Sequence, residues 1–396
     1  MAAALDNPLA RARRVVVKVG SSLLVDESGR LHRNWLEGLA QDIADLRARG
    51  CDVVLVSSGA IALGRTPLGL GPGDLKLEDS QAAAATGQIR LAHAWQAALE
   101  THRLTVALIL LTSTDTEVRR RYLNARNTFA ALLERGAIPV VNENDTVATD
   151  EIRFGDNDRL AARVAAMLGA DALILLSDVD GLYTGDPRRQ RDVRFLDRLT
   201  RITPEIEAMA GAEGTGLSRG GMVTKLKAAR IALQAGCSMA IANGRADNPL
   251  ARVAEGGRAT WFLAQASPAN ARKRWIAGTL KPAGAIRIDD GAVAALRAGR
   301  SLLPIGATAI EGRFDRGDAV VITDRQGREQ ARGLSAYASD DAGRLLGRRS
   351  EEIAGLLGYS GRAALVHRDD LVLTGSEATD LPDPEETTPQ REDAEP

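Results

Sequence analysis

RRVVVKVG at residues 13–20, followed by Ser21 and Ser22, places a β-branched run between a basic flank and a Gly-Ser-Ser turn. Valines in succession with one lysine near their end are the pattern of a parallel strand buried on both faces, which would deliver Lys18 to the carboxyl end of a sheet. Gly20, Ser21 and Ser22 then offer backbone N–H groups in a tight turn, a concavity suited to phosphate oxygens. The Walker spacing, which ends in Gly-Lys-Ser/Thr, is absent. Taken alone, the segment also reads as an edge strand with a solvated lysine.

The same rhythm continues outward. Leu36, Leu39, Ala40, Ile43 and Leu46 recur at helical steps up to Gly50, and residues 52–57 read as a second strand ending in Ser57-Ser58-Gly59-Ala60. Helices are expected over 81–100 and 122–134, and strands over 104–111 and 137–141. Strand, polar Gly turn and helix in alternation predict a doubly wound α/β sheet, whose sites lie beyond the carboxyl ends of its strands.

The fourth strand runs into VVNENDTVATDEIRFGDND at 140–158, where Asn142, Asn144 and Asp145, then Asp156, Asn157 and Asp158, crowd beyond the strand end. Residues 147–154 are strand-like with a turn at Asp150, so a hairpin is expected to fold the two clusters together. Asn, Asp and Gly are ordinary turn residues, but two such clusters flanking one hairpin favour a ligand with an ammonium group and several hydrogen-bonding atoms. A helix to Leu168 and a strand over 172–176 follow, ending in Ser177-Asp178-Val179-Asp180-Gly181-Leu182-Tyr183. Tyr183 reads equally as a platform for a purine and as a core residue. GTGLSRGGMVTKLK at 214–227 enters a helix reaching Gln234, and paired glycines at a helix start let backbone approach a phosphate, with Lys225 in the first turns. Lys18 and Lys225 thus form a pair of cations able to converge on one polyphosphate. Residues 238–242 and 260–262 read as closing strands.

The chain has 396 residues, room for two or three domains, and 44% hydrophobic residues to fill a core. Lys plus Arg at 51 against Asp plus Glu at 52 gives no global pull towards nucleic acid or an anionic membrane. Cys51 and Cys237 are too few and too far apart for a disulfide framework or thiolate zinc site, and no metal ligand set is read from the four scattered histidines. No signal-like leader or 18-residue apolar run appears, so a cytoplasmic location with no membrane partner is expected.

Together these segments resemble the amino-acid kinase superfamily, and within it the glutamate 5-kinase family. VVVKVGSSLL at 15–24, VVLVSSGAIALGR at 53–65, LLTSTD at 110–115, YLNARNTF at 122–129 and residues 141–158 carry the resemblance. So do LLSDVDGLYTGDPR at 175–188, GGMVTKLKAA at 220–229 and NARKRWIAGTLKPAGAI at 270–286. It implies a three-layer αβα fold with a mainly parallel sheet. It also implies ATP, with Mg²⁺, as phosphoryl donor to the side-chain carboxylate of L-glutamate, the first step of proline biosynthesis, in a homo-oligomer inhibited by proline. Carried over position by position, Lys18 and Lys225 would stabilise the transferring phosphoryl group while Asp158 holds both ammonium groups. Ser58, Gly59, Asp145 and Asn157 would bind glutamate, with Asp145 facing its ammonium and Ser58 with the Gly59 backbone facing a carboxylate; Asn142 and Asp156 would be neighbours. Ser177, Asp178 and the segment Arg219, Gly220, Gly221, Met222, Val223, Thr224 and Lys225 would line the nucleotide site. Ser218 and Arg219 depart from the family's Gly-Thr-Gly-Gly-Met pattern, leaving Arg219 either on a phosphate or in solvent.

Related kinases acting on acetylglutamate, aspartate or a nucleoside monophosphate are the nearest alternative, from which Asp145 discriminates, because a free ammonium needs an anion. An RNA-binding regulator with a retired kinase domain is the other alternative, against which the intact lysine pair stands. The kinase domain is expected over 1–265, with a linker at 266–274. Residues 275–373 change to short strands and Gly turns that resemble the PUA domain, a small β-barrel. Their 14 Lys plus Arg against 13 Asp plus Glu lack the electrostatic footprint of an RNA binder, which favours a structural or regulatory role. The acidic, proline-containing tail at 374–396 is expected to be disordered.

Overall fold

The computed structural model describes residues 7–26, 28–147, 157–185, 192–210, 221–278 and 281–374. The chain divides into two units, Met1–Arg272 and Lys273–Pro396.

In the first unit the strands are β1 (Arg14–Val19), β2 (Asp52–Ser57), β3 (Val106–Leu111), β4 (Ile138–Glu143), β5 (Ala172–Ser177), β6 (Leu182–Tyr183), β7 (Phe195–Leu196), β8 (Arg198–Leu199), β9 (Ser238–Asn243) and β10 (Ala259–Phe262). Eight of them form one sheet in the order β3-β4-β2-β1-β5-β9-β10-β8, while β6 and β7 make a separate antiparallel pair. The ladders from β3 to β9 are parallel, β10 runs antiparallel to β9, and β8 lies outside β10. Residues 260–262 therefore do not close the sheet as expected; the two-residue β8 does.

β1 lies between β2 and β5, and Val15, Val16, Val17 and Val19 are fully buried. Each valine taken out of water contributes roughly 1.5–3 kcal/mol. Side chains alternate across the strand: Val15, Val17 and Val19 join one core with the helices Arg33–Ala48 and Leu77–Glu100. Val16 joins a second core with Arg119–Glu134, Asn157–Leu168 and Met222–Gln234. Helices thus cover both faces, as three layers require, and Lys18 shares the face of Val16. The long helix begins at Leu77 rather than residue 81, with Glu78 and Asp79 in a first turn whose free N–H groups favour negative charge.

The expected hairpin at 147–154 falls almost wholly outside the described residues; Val147 itself is in an exposed turn. The stretch 266–274, expected to be a linker, is helical from Pro268 to Gly278. At its start Ser267 Oγ accepts the Asn270 N–H at 3.3 Å, and proline suits a first helical position, where no N–H is needed.

The second unit holds β11 (Gly284–Ile288), β12 (Ala307–Gly312), β13 (Ala319–Thr323), β14 (Glu329–Ser335) and β15 (Val366–Leu373), in the order β12-β11-β13-β14-β15. Just ahead of β12, Leu302 bridges Val366 of β15, so the sheet curls back on itself around Ile286, Val320, Ile322 and Leu365. The tail beyond Thr374 lies outside the described residues.

Candidate active site

Helix starts and strand ends meet at the carboxyl edge of the large sheet. Lys18, one residue before the end of β1, faces the helix that begins Asn157-Asp158 and the helix that carries Lys225 in its first turns. Lys18 Nζ lies 2.7 Å from Asp158 Oδ1, and Lys225 Nζ lies 3.2 Å from Asp158 Oδ2. Thr224 Oγ1 donates to the same Oδ2 at 3.1 Å. Asp158 is 2% exposed and Lys225 5%. Burial pushes the Asp158 carboxyl up, but the charges and hydrogen bonds of Lys18 and Lys225 outweigh it and lower its pKa to about 2. Near neutral pH Asp158 is therefore an anion that holds two cations at one point. Gly20 starts the one-turn helix Ser21–Leu24 beside the lysine: a Cβ built on it would lie 4.0 Å from Lys18 Nζ, an ordinary contact distance.

The next turn is tied to this one: the Ser58 N–H donates to the Val19 carbonyl at 3.1 Å. Gly59 follows with φ +112°, a conformation side chains rarely adopt, and starts the helix Ala60–Arg65. That helix packs backbone to backbone on Leu77–Glu100: a Cβ on Gly64 would sit 1.8 Å from the Ala83 carbonyl oxygen, and one on Gly87 would sit 1.7 Å from that of Ala60. Asn157 Nδ2 donates to Ser58 Oγ at 2.6 Å and to Asn142 Oδ1 at 3.4 Å, and Asn142 Nδ2 donates to Gln88 Oε1 at 2.8 Å. Gln88 lines a cavity of about 260 Å³ with Ala84, Ile89, Glu143 and Asp145. Consecutive residues thus serve two sides, Asn157 the amide cluster and Asp158 the lysines.

On the other side of β1, Ser177 ends β5 and its Oγ donates to Asp178 Oδ1 at 3.1 Å. Gly221 caps the Met222–Gln234 helix in extended conformation without a side-chain cap bond, so Met222, Val223 and Thr224 form its first turn beside the lysine pair. Tyr183 is half-buried and meets Phe195 edge-on, ring centroids 5.3 Å apart, with its hydroxyl 3.0 Å from Asp180. Of the expected site residues, Lys18, Ser58, Gly59, Asn142, Asn157, Asp158 and Lys225 come together. Asp145 lines the adjoining cavity; Ser177, Asp178 and Gly221 through Thr224 lie on neighbouring elements. Asp156, Arg219 and Gly220 lie outside the described residues.

Gln88 escaped the sequence reading. Its signal was there: Ala84, Gln88, Leu91 and Trp95 follow one helical stripe, and Gln88 is the single polar side chain in it. Among the described residues no three His, Cys, Asp or Glu side chains gather as a metal site.

Residues 13–243 match the model of the amino acid kinase family, and residues 284–357 match that of the PUA domain. A glutamate 5-kinase of Paramagnetospirillum magneticum is 60% identical over 370 residues, covering 93% of this chain and all of that protein. Glutamate 5-kinase 1 of Rhizobium meliloti is 59% identical, over 91% of this chain and 92% of its own. The solved structure of an isopentenyl phosphate kinase aligns with 63% of this chain and 99% of its own, at 18% identity and a TM-score of 0.44. The matching family models and this identity over most of the chain lead to one assignment: the chain belongs to the amino acid kinase family, on its glutamate 5-kinase branch with a C-terminal PUA domain.

Proposed function

We propose that this chain transfers the γ-phosphoryl group of ATP to the side-chain carboxylate of L-glutamate, giving L-glutamyl 5-phosphate, the first step of proline biosynthesis. The observation that carries the reading is Asp158 gripping Lys18 and Lys225 while its neighbour Asn157 bonds Ser58. A glutamate side chain, with a pKa of about 4.3, is already an anion near neutral pH, so the reaction needs no general base. Its obstacle is repulsion between that anion and the nucleotide. The ammonium groups of Lys18 and Lys225 and the backbone donors after Gly20 and Gly221 offset it where charge builds on the transferring group. Ser58 and Gly59 hold a carboxylate, and Asp145 meets the ammonium.

Nucleotide binding falls to Ser177, Asp178 and the turn from Arg219 to Lys225. Among the described residues, the carboxylate between the two lysines has both oxygens engaged, an arrangement that fits magnesium carried on the nucleotide rather than in a protein cage. Magnesium so bound neutralises phosphate charge. Exposed Leu108 and Leu110 on the edge strand β3 support a homo-oligomer, since a second copy would cover them. Proline as feedback inhibitor and a cytoplasmic location complete the proposal; no described helix is long and apolar enough to cross a membrane.

The test is a hydroxamate or coupled ADP assay with glutamate, N-acetylglutamate and aspartate side by side. Turnover of glutamate alone is expected, and turnover of acetylglutamate without glutamate would overturn the reading.

A further inference from the structure

The turn that bears Ser58 is held from behind. Ser57, the last residue of β2, lies on the same side of the sheet as Val53 and Leu55, where Trp95 of the Leu77–Glu100 helix packs. Trp95 Nε1 donates to Ser57 Oγ at 2.9 Å, and both residues are fully buried. An indole N–H can only donate, so the direction of this bond is fixed. Ser57 Oγ accepts, and its own hydrogen goes to the Ser58 carbonyl at 3.3 Å.

That second bond selects the orientation of a peptide plane. The Ser58–Gly59 peptide is trans, so its C=O and N–H point in opposite directions. With the carbonyl turned to Ser57 on the buried side, the Gly59 N–H faces away from it, on the open side of a half-buried turn. Among the described residues this N–H has no hydrogen-bond partner, and it follows directly on Ser58, whose Oγ Asn157 reaches at 2.6 Å. Glycine by itself leaves the choice open. From φ +112° the plane could turn over into the ordinary negative region, since no Cβ opposes either state. The Ser57 hydroxyl distinguishes the two, because only the observed one offers it a carbonyl oxygen.

We propose that Ser57 and Trp95 are a positioning pair for the substrate, holding the Ser58–Gly59 peptide so that the Gly59 N–H is presented to the substrate's carboxylate. The helix Leu77–Glu100 thus sets this turn through Gly87, packed against the Ala60 carbonyl, and again through Trp95. The inference rests on the glutamate reading above.

The experiment measures the KM for glutamate and for ATP, with melting curves on the same preparations, in the full chain and in Ser57→Ala, Ser57→Thr, Trp95→Phe and the Ser57→Ala, Trp95→Phe double variant. Ser57→Ala removes the hydroxyl and should raise the glutamate KM about tenfold, the scale of one hydrogen bond, with the ATP KM within about twofold of wild type. Ser57→Thr keeps the hydroxyl on a residue suited to a strand and should stay within about twofold of wild type for both substrates. Trp95→Phe, which lacks only the donor and part of the ring, should raise the glutamate KM about fivefold, but should add nothing once Ser57 is alanine, because Trp95 acts through that hydroxyl. A folded Ser57→Ala chain with unchanged glutamate KM, an equal rise in the ATP KM, or single losses that multiply in the double variant would overturn the proposal. Should Trp95→Phe not fold, the contrast between Ser57→Ala and Ser57→Thr decides, and equal glutamate KM values in those two would overturn it. A wild-type chain that turns over no glutamate would instead sink the proposed function.

Discussion

Lys18 and Lys225 rest on different oxygens of one carboxylate, at 2.7 and 3.2 Å from Asp158. One comes from the first strand and the other from a helix near the end of the same unit, so the carboxylate fixes the distance between two cations that the chain itself does not connect. Removing either ammonium, as in Lys18→Ala or Lys225→Ala, should lower kcat by about a hundredfold or more, the scale of one lost transition-state donor. Asp145→Ala and Asn157→Ala should mainly raise the glutamate KM, because the groups they hold do not change in the reaction. Steady-state kinetics separates the two classes, and an Asp145→Ala chain with unchanged KM would refute that assignment.

The same carboxylate makes stability depend on acid. Its folded pKa is about 2, against about 3.9 for aspartate in an unfolded chain. Between these values the unfolded state binds more protons, so the Asp158 contribution is complete above about pH 4 and is lost as pH falls towards 2. Urea midpoints for the wild type should therefore fall more steeply across this window than those for Asp158→Asn. Parallel curves would show that the lysine pair does not hold the carboxyl down.

Gly87→Ala puts a methyl group where the Ala60 carbonyl oxygen now lies, 1.7 Å from the built Cβ. The two helices must part, at a cost of roughly 1–3 kcal/mol. Because the displaced helix starts directly after Ser58 and Gly59, the glutamate KM should rise more than the KM for ATP. Thermal melting and kinetics on one preparation check both halves, and an unshifted melting temperature would show that the contact yields without strain.

We expect the two units to be separable in function. A chain ended after residue 280, which keeps the Pro268–Gly278 helix whole, should remain folded and phosphorylate glutamate, since every residue given a chemical role precedes residue 226. Circular dichroism and the hydroxamate assay read the result. A folded product without glutamate-dependent turnover would mean that the second unit completes the site.

Read alone, the sequence determined the layers and most of the centre. A valine run followed by a Gly-Ser-Ser turn favours a strand buried on both faces, although the run alone also fits an edge strand, and polar turns after such strands mark their carboxyl ends, so Lys18, Ser58, Asn142 and Ser177 were legible as candidates one strand at a time. Tertiary structure alone decided which of them touch. Strand order is not written in strand composition, and the placement of β1 between β2 and β5 is what brings Ser58 to Asn157 and Lys18 to Asp158. The antiparallel β10 and the outer β8 were hidden for the same reason, because short apolar segments carry no sign of direction. The helix across 266–274 was missed because its Ala-Asn-Ala-Arg-Lys-Arg composition resembles a linker, while its Ser-Pro start is a local signal only once the following turn is known to be helical. Gln88 became visible last: a glutamine in an apolar stripe does not name its partner, and only the tertiary structure brings Asn142 Nδ2 to its Oε1.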